Sequence, residues 1–149
     1  MSISYTVFII VNKPVHEVFE AVADPAQLSS YFTTGGASAR LISNQTVTWD
    51  FADFPGVFPV HVGEVVPDEK IAFRWKTNEP DKDYELDVTI RFSAVGKNRT
   101  RVEVEEKGWH DSEAARKASY LNCMGWSQML AALKMWAEHK INLREGAYK

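Results

Sequence analysis

Side chains able to do chemistry are spread thinly over this chain of 149 residues. The four histidines, His16, His61, His110 and His139, fall on separate segments and share no ligand spacing such as His-x-x-x-His, so no metal site is expected. The single cysteine, Cys123, permits no intrachain disulfide and no thiolate cluster, and with no basic neighbour to lower its pKa it reads as a packed, inert thiol. Acid–base catalysis would require an inward group such as His61, Glu64 or Asp50. Phe58, Val60 and Val62 alternate with His61, which places the imidazole on the outer face unless Pro59 introduces a bulge that reverses the phase. Asp50 and Asp53, beside Phe51 and Phe54, read as solvated residues near a strand end. There is no glycine-rich phosphate loop, nucleophile elbow or supported carboxylate pair, so no catalytic residue is assigned and no cofactor is expected.

What remains is aromatic and apolar. Trp49, Trp75, Trp126 and Trp136 fall at inward positions of strands or of a helix, and Trp109 stands at a strand-to-helix transition. Asn122 sits on the apolar side of the same helix, where a buried amide needs a partner. A hydrogen bond to a neighbouring strand is the favoured reading, and a polar handle in a cavity the alternative.

The elements that must position these groups follow from periodicity. Ile3 to Val11 is rich in β-branched and aromatic residues and reads as a strand. Pro14 suits a first helical turn, with Val15, Val18, Phe19 and Val22 at helical spacing behind it. Asp24-Pro25-Ala26-Gln27 repeats the device, predicting a second short helix over Pro25 to Phe32 with Gln27 reaching back as in a capping box. Alternating strands come next, around Val47 to Phe51, Ile71 to Trp75, Tyr84 to Phe92 and Val102 to Val104, wet on one face and apolar on the other. Val57 to Val66, interrupted by Pro59 and Gly63, reads as an edge or bulged strand. Finally, Ser112 to Leu143 is a long helix. Its inner face carries Ala115, Ala118, Gly125, Trp126, Met129, Leu130, Leu133, Trp136 and Ala137, with Arg116, Ser127, Lys134 and Glu138 opposite. Such a helix must lie against something large and concave, and the chain's own sheet is the only candidate.

Composition narrows the function. With 45% hydrophobic residues the chain suits one domain over residues 1–149. A net charge of -3 and the absence of any dense Lys/Arg tract speak against nucleic acid as a partner. The N-terminus lacks the basic start and apolar run of a signal peptide, and no segment reaches the roughly 18 to 20 apolar residues of a membrane span. A soluble, cytoplasmic protein is expected.

In this order of elements, and in its particular residues, the chain resembles a known family. The residues are Pro14-Val15-His16-Glu17-Val18-Phe19, Asp24-Pro25-Ala26-Gln27-Leu28, Glu106-Lys107-Gly108-Trp109, and Asn122-Cys123-Met124-Gly125-Trp126 continuing to Met129-Leu130-Ala131-Ala132-Leu133-Lys134. It is similar to the helix-grip, START-like (SRPBCC) superfamily, in the AHSA-like branch named after the activator of the heat-shock ATPase. The resemblance implies an α+β fold, in which a curved antiparallel sheet of six to seven strands wraps around the long C-terminal helix, with two short helices after the first strand. The expected function is binding of a small, mostly apolar, aromatic or lipid-like molecule in a cavity between sheet and helix. Trp49, Phe51, Phe73, Trp75, Leu86, Val88, Asn122, Trp126, Met129 and Leu133 are the expected lining. The alternatives are a polyketide cyclase-like enzyme and a chaperone co-factor or other protein-binding role.

Overall fold

A computed structural model of the protein describes residues 2–149. The chain opens with β1 (Ile3–Val11), α1 (Val15–Ala23) and α2 (Pro25–Leu28). The strands β2 (Gly36–Ala37), β3 (Thr46–Phe51), β4 (Phe54–Val66), β5 (Lys70–Lys76), β6 (Glu85–Gly96) and β7 (Arg99–Trp109) follow, and α3 (Glu113–His139) closes the order. The strands form one antiparallel sheet in the order β1-β7-β6-β5-β4-β3-β2, so the first strand returns beside the last. This is the α+β helix-grip fold, its curved sheet holding α3 on the concave side.

Local sequence explains most of the elements. Alternation along β6 buries Leu86, Val88, Ile90 and Phe92 and leaves Glu85, Asp87 and Arg91 in water. Asp24 caps α2 by accepting from the Ala26 N–H at 3.0 Å, with Pro25 in the first turn. Ser112 caps α3 through the Ala115 N–H. The apolar faces meet in one core, where Met129, Leu130 and Leu133 of α3 lie buried with Val11, Val60, Ile71, Ile90 and Val104 of the strands. Leu86, Trp109, Ala115 and Ala118 make a smaller cluster near the start of α3.

Four expectations change, while β4 follows the bulged of its two readings: it pairs on both sides, with β3 and β5, and its register shifts between Val62 and Val65. Since this shift follows His61, the phase at His61 is unaltered, and the ring lies outside beside Thr46 and Glu85. The helix α2 ends at Leu28, earlier than Phe32. The Gln27 amide receives the Trp136 indole N–H at 3.4 Å instead of closing a capping box. The long helix ends at His139, not Leu143, because Lys140 takes a left-handed conformation (φ 56, ψ 38) and turns the chain back toward the sheet.

The fourth change concerns the outer face of α3. Arg116 and Ser127 are exposed as expected, but the Lys134 side chain is 35% exposed and that of Glu138 13%. The helix crosses the edge strand β1, whose terminal backbone groups need partners. Lys134 Nζ donates to the Ile10 carbonyl at 2.7 Å, and Glu138 accepts from the Asn12 N–H at 2.8 Å. Burial opposes ionisation of Glu138, but the Asn12 N–H and the Lys134 ammonium outweigh it and leave the pKa lowered. Among the described residues no helix is long and apolar enough to cross a membrane.

Candidate functional site

The most unusual polar group is Glu106. Along β7 it shares the inward parity of Val102 and Val104, and it is completely buried. Its carboxylate collects donors from three elements. Oε1 accepts from the Tyr5 hydroxyl of β1 at 2.5 Å and from Asn122 Nδ2 of α3 at 2.9 Å. Oε2 accepts from Trp75 Nε1 of β5 at 2.9 Å and Trp126 Nε1 of α3 at 3.3 Å. Two carboxylate oxygens can accept about four hydrogen bonds, so the acceptor capacity is filled. The local sequence makes this convergence possible. Tyr5 stands opposite Glu106 in the β1–β7 register, and Asn122 and Trp126 lie one helical turn apart. Burial, then the charge of Glu106, then the hydrogen bond to it, all push the Tyr5 pKa far upward and keep the phenol a donor.

Beside this hub lies a cavity of about 450 Å³. Trp75, Asn122 and Trp126 form one wall, turning their N–H groups to Glu106 and their remaining surface to the space. Phe32, Phe51 and Phe58 supply further aromatic wall, with Phe54, Leu121 and Met124 exposed around it. Trp126 lies 5.5 Å from Trp75 and 5.6 Å from Phe32, ring centre to ring centre, so the aromatic wall is continuous. Gly125 faces the cavity from the middle of α3, and a Cβ added there would meet no atom within 4 Å.

The last side of the cavity comes from the returning C-terminal segment. Arg144 donates from Nε and Nη2 to Asp53 Oδ1 at 3.1 and 2.9 Å, and both side chains are largely shielded. The guanidinium also lies 5.1 Å from the ring centre of Phe51 and 5.7 Å from that of Phe32. Asp53 is therefore an ion-pair partner in the cavity wall and not the solvated residue expected. This pair ties the C-terminal segment to the turn between β3 and β4.

Of the lining residues anticipated from sequence, the structure brings Phe51, Trp75, Asn122 and Trp126 together around the cavity. Trp49, Phe73, Val88, Met129 and Leu133 stand in the close-packed main core, and Leu86 belongs to the satellite cluster. Asn122 makes the expected hydrogen bond to a strand residue, Glu106, and also borders the space. His61, Glu64 and Asp50 do not line the cavity. Glu64 pairs with Lys70 on the outside, and Asp50 accepts from the Gly56 N–H at 3.1 Å. Among the described residues no group of three or more His, Cys, Asp or Glu side chains could hold a metal ion.

Glu106 was missed as a site residue although strand parity marks it as a carboxylate facing inward. Gly125 carried a similar signal as a glycine inside a helix. Nothing local to Arg144 announces its place, which depends on the reversal of the chain at Lys140.

Two of three comparisons with known proteins give matches to this chain. Residues 12–138 match the family described as Activator of Hsp90 ATPase homolog 1-like protein. Among solved structures, SSP2350 from Staphylococcus saprophyticus is 24% identical with a TM-score of 0.78, over 95% of this chain and 96% of that one. DynU16, from the dynemicin biosynthetic locus, is 26% identical with a TM-score of 0.76; the match covers 92% of this chain but only 48% of DynU16. The Aha1 protein of Colwellia psychrerythraea, solved in solution as a dimer, is 18% identical with a TM-score of 0.75, over 92% and 97% of the two chains. A comparison with curated proteins gives no match.

Proposed function

Since this chain belongs to the Activator of Hsp90 ATPase homolog 1-like family, which spans 12–138 of it, we propose that it works within that fold as a binding domain for a small, mostly apolar molecule. The observation that carries this reading is the cavity beside Glu106. Its volume of about 450 Å³ is of a size that holds small ligands, and its walls are predominantly aromatic with a few fixed polar atoms.

Aromatic walls favour planar guests, which gain contact area without ordering many rotatable bonds. Trp75 and Trp126 also make the binding observable, since a guest against their rings changes indole emission. The test is a titration with the neutral fluorophore N-phenyl-1-naphthylamine, following tryptophan quenching in the native protein and in Gly125→Leu. The native protein is expected to show saturable quenching at micromolar probe. Gly125→Leu places an isobutyl group in the open space above the helix and is expected to abolish it, with no loss of thermal stability. No saturation in the native protein, or unchanged binding in a folded Gly125→Leu variant, sinks the proposal.

A further inference from the structure

The hydrogen bonds at Glu106 also determine what kind of polar group the cavity accepts. A carboxylate has only acceptors to offer, so an amide pointing at it must present its NH2. At 2.9 Å from Glu106 Oε1, the nitrogen of Asn122 is thereby identified, and the carbonyl Oδ1 is the other end of the same rigid amide. Asn122 is only partly buried and lines the cavity, and among the described residues its Oδ1 has no hydrogen-bond partner and is not an enclosed atom. The indole N–H groups of Trp75 and Trp126, which share this wall, are committed to Glu106 as well. On this wall both indole N–H groups and one N–H of Asn122 are thus committed to Glu106, and Asn122 Oδ1 is the acceptor that is left.

Elsewhere around the cavity Arg144 is bound to Asp53 and Asn78 Nδ2 donates to the Ala118 carbonyl at 3.1 Å. Lys76 and Tyr148, both well exposed, and Gln128, whose amide can present either end, keep donors of their own away from the Glu106 wall.

We propose that Asn122 is the polar recognition point of the cavity, and that its ligand is an aromatic molecule bearing a hydroxyl or N–H group donated to Asn122 Oδ1. Glu106 is the positioning residue that holds the amide in this orientation. The inference rests on the cavity being a ligand site, and it adds the sense of the hydrogen bond. An acceptor on the ligand, such as an ether oxygen, meets Oδ1 as lone pair against lone pair, whereas a donor replaces the water it loses on entering.

The test uses two matched pairs of probes, 2-naphthol with 2-methoxynaphthalene and indole with 1-methylindole, measured by calorimetry on the native protein and on Asn122→Leu. In the native protein each donor is expected to bind about tenfold more tightly than its methylated partner, the value of one well-made hydrogen bond in a shielded site. Within a folded Asn122→Leu variant that preference is expected to vanish while the methylated probes bind as before. Glu106→Gln supplies a second readout. The new amide N–H faces Asn122 and turns its side chain over, so the donor preference is expected to disappear or reverse, which mere loosening of the wall would not produce. Equal affinity for both members of each pair in the native protein overturns this inference alone and needs no variant. Binding of none of the four probes overturns it together with the cavity reading on which it rests.

Discussion

Replacing Gly125 by Ala tests the cavity from the side of stability. Glycine in a helix interior costs about 0.8 to 1 kcal/mol relative to alanine, through the extra backbone freedom it loses on folding. Such a cost is ordinarily offset where a neighbour approaches too closely for a Cβ, but at Gly125 an added Cβ meets no atom within 4 Å. The substitution is therefore expected to recover most of the difference, about 0.8 kcal/mol. For a chain of 149 residues, an unfolding entropy of about 2.1 cal/mol/K per residue converts this to a rise in Tm of roughly 2 to 3 °C. Differential scanning calorimetry resolves a change of that size. Gly108→Ala is the opposing control. Gly108 lies at φ 102 with the Leu86 Cα 3.6 Å from a built Cβ, so alanine there is expected to lower Tm. A fall in Tm for Gly125→Ala would refute the reasoning, because it would mean that the space above the helix is filled by the protein in solution.

Two further outcomes follow from the charged contacts. Arg144→Met strands the shielded Asp53 carboxylate and is expected to cost about 3 kcal/mol in urea unfolding, whereas adding Asp53→Asn to it recovers most of the loss; equal costs for single and double variants would show that the pair does not hold the C-terminal segment. Glu20 receives hydrogen bonds from Arg40 at 2.9 and 2.5 Å, and these, with the Arg40 charge and against partial burial, lower its pKa below the ordinary carboxylate range. A folded pKa below the unfolded one contributes stability above the unfolded value of about 4.3, and that contribution is lost as pH falls through the folded pKa. Denaturation midpoints measured from neutral pH into the acid range are therefore expected to fall less steeply in Glu20→Gln than in the native protein, and parallel curves would contradict the assignment.

The sequence by itself determined the elements and their order. Two-residue alternation at Val47-Trp49-Phe51 and Leu86-Val88-Ile90-Phe92 leaves only one face to bury, and the helical recurrence of Trp126, Met129, Leu130 and Leu133 leaves one stripe to cover it. Sheet and helix therefore had to meet, whatever the details. The parity of Glu106 was legible in the same way, because it continues Val102 and Val104. Its partners were not, since Tyr5, Trp75, Asn122 and Trp126 come from β1, β5 and α3 and become neighbours only when the sheet closes on the helix.

The position of the empty space was likewise decided by tertiary packing. Trp49, Phe73, Met129 and Leu133 have the types expected of a cavity wall, yet their combined volumes fill the middle of the grip, because interiors pack to near-crystalline density wherever side chains can interlock. Space remains beside Gly125, where a side chain is lacking and the helix meets the β3–β4 turn and the returning C-terminal segment. Lys134 and Glu138 were placed in water by a period that counts one helix at a time, and they were drawn in because the edge strand β1 offers the Ile10 carbonyl and Asn12, just after it, its N–H. Periodicity measures which way a side chain points from its own backbone. Which backbone groups it will find there depends on residues more than a hundred positions away, and only the folded chain brings them within hydrogen-bonding distance.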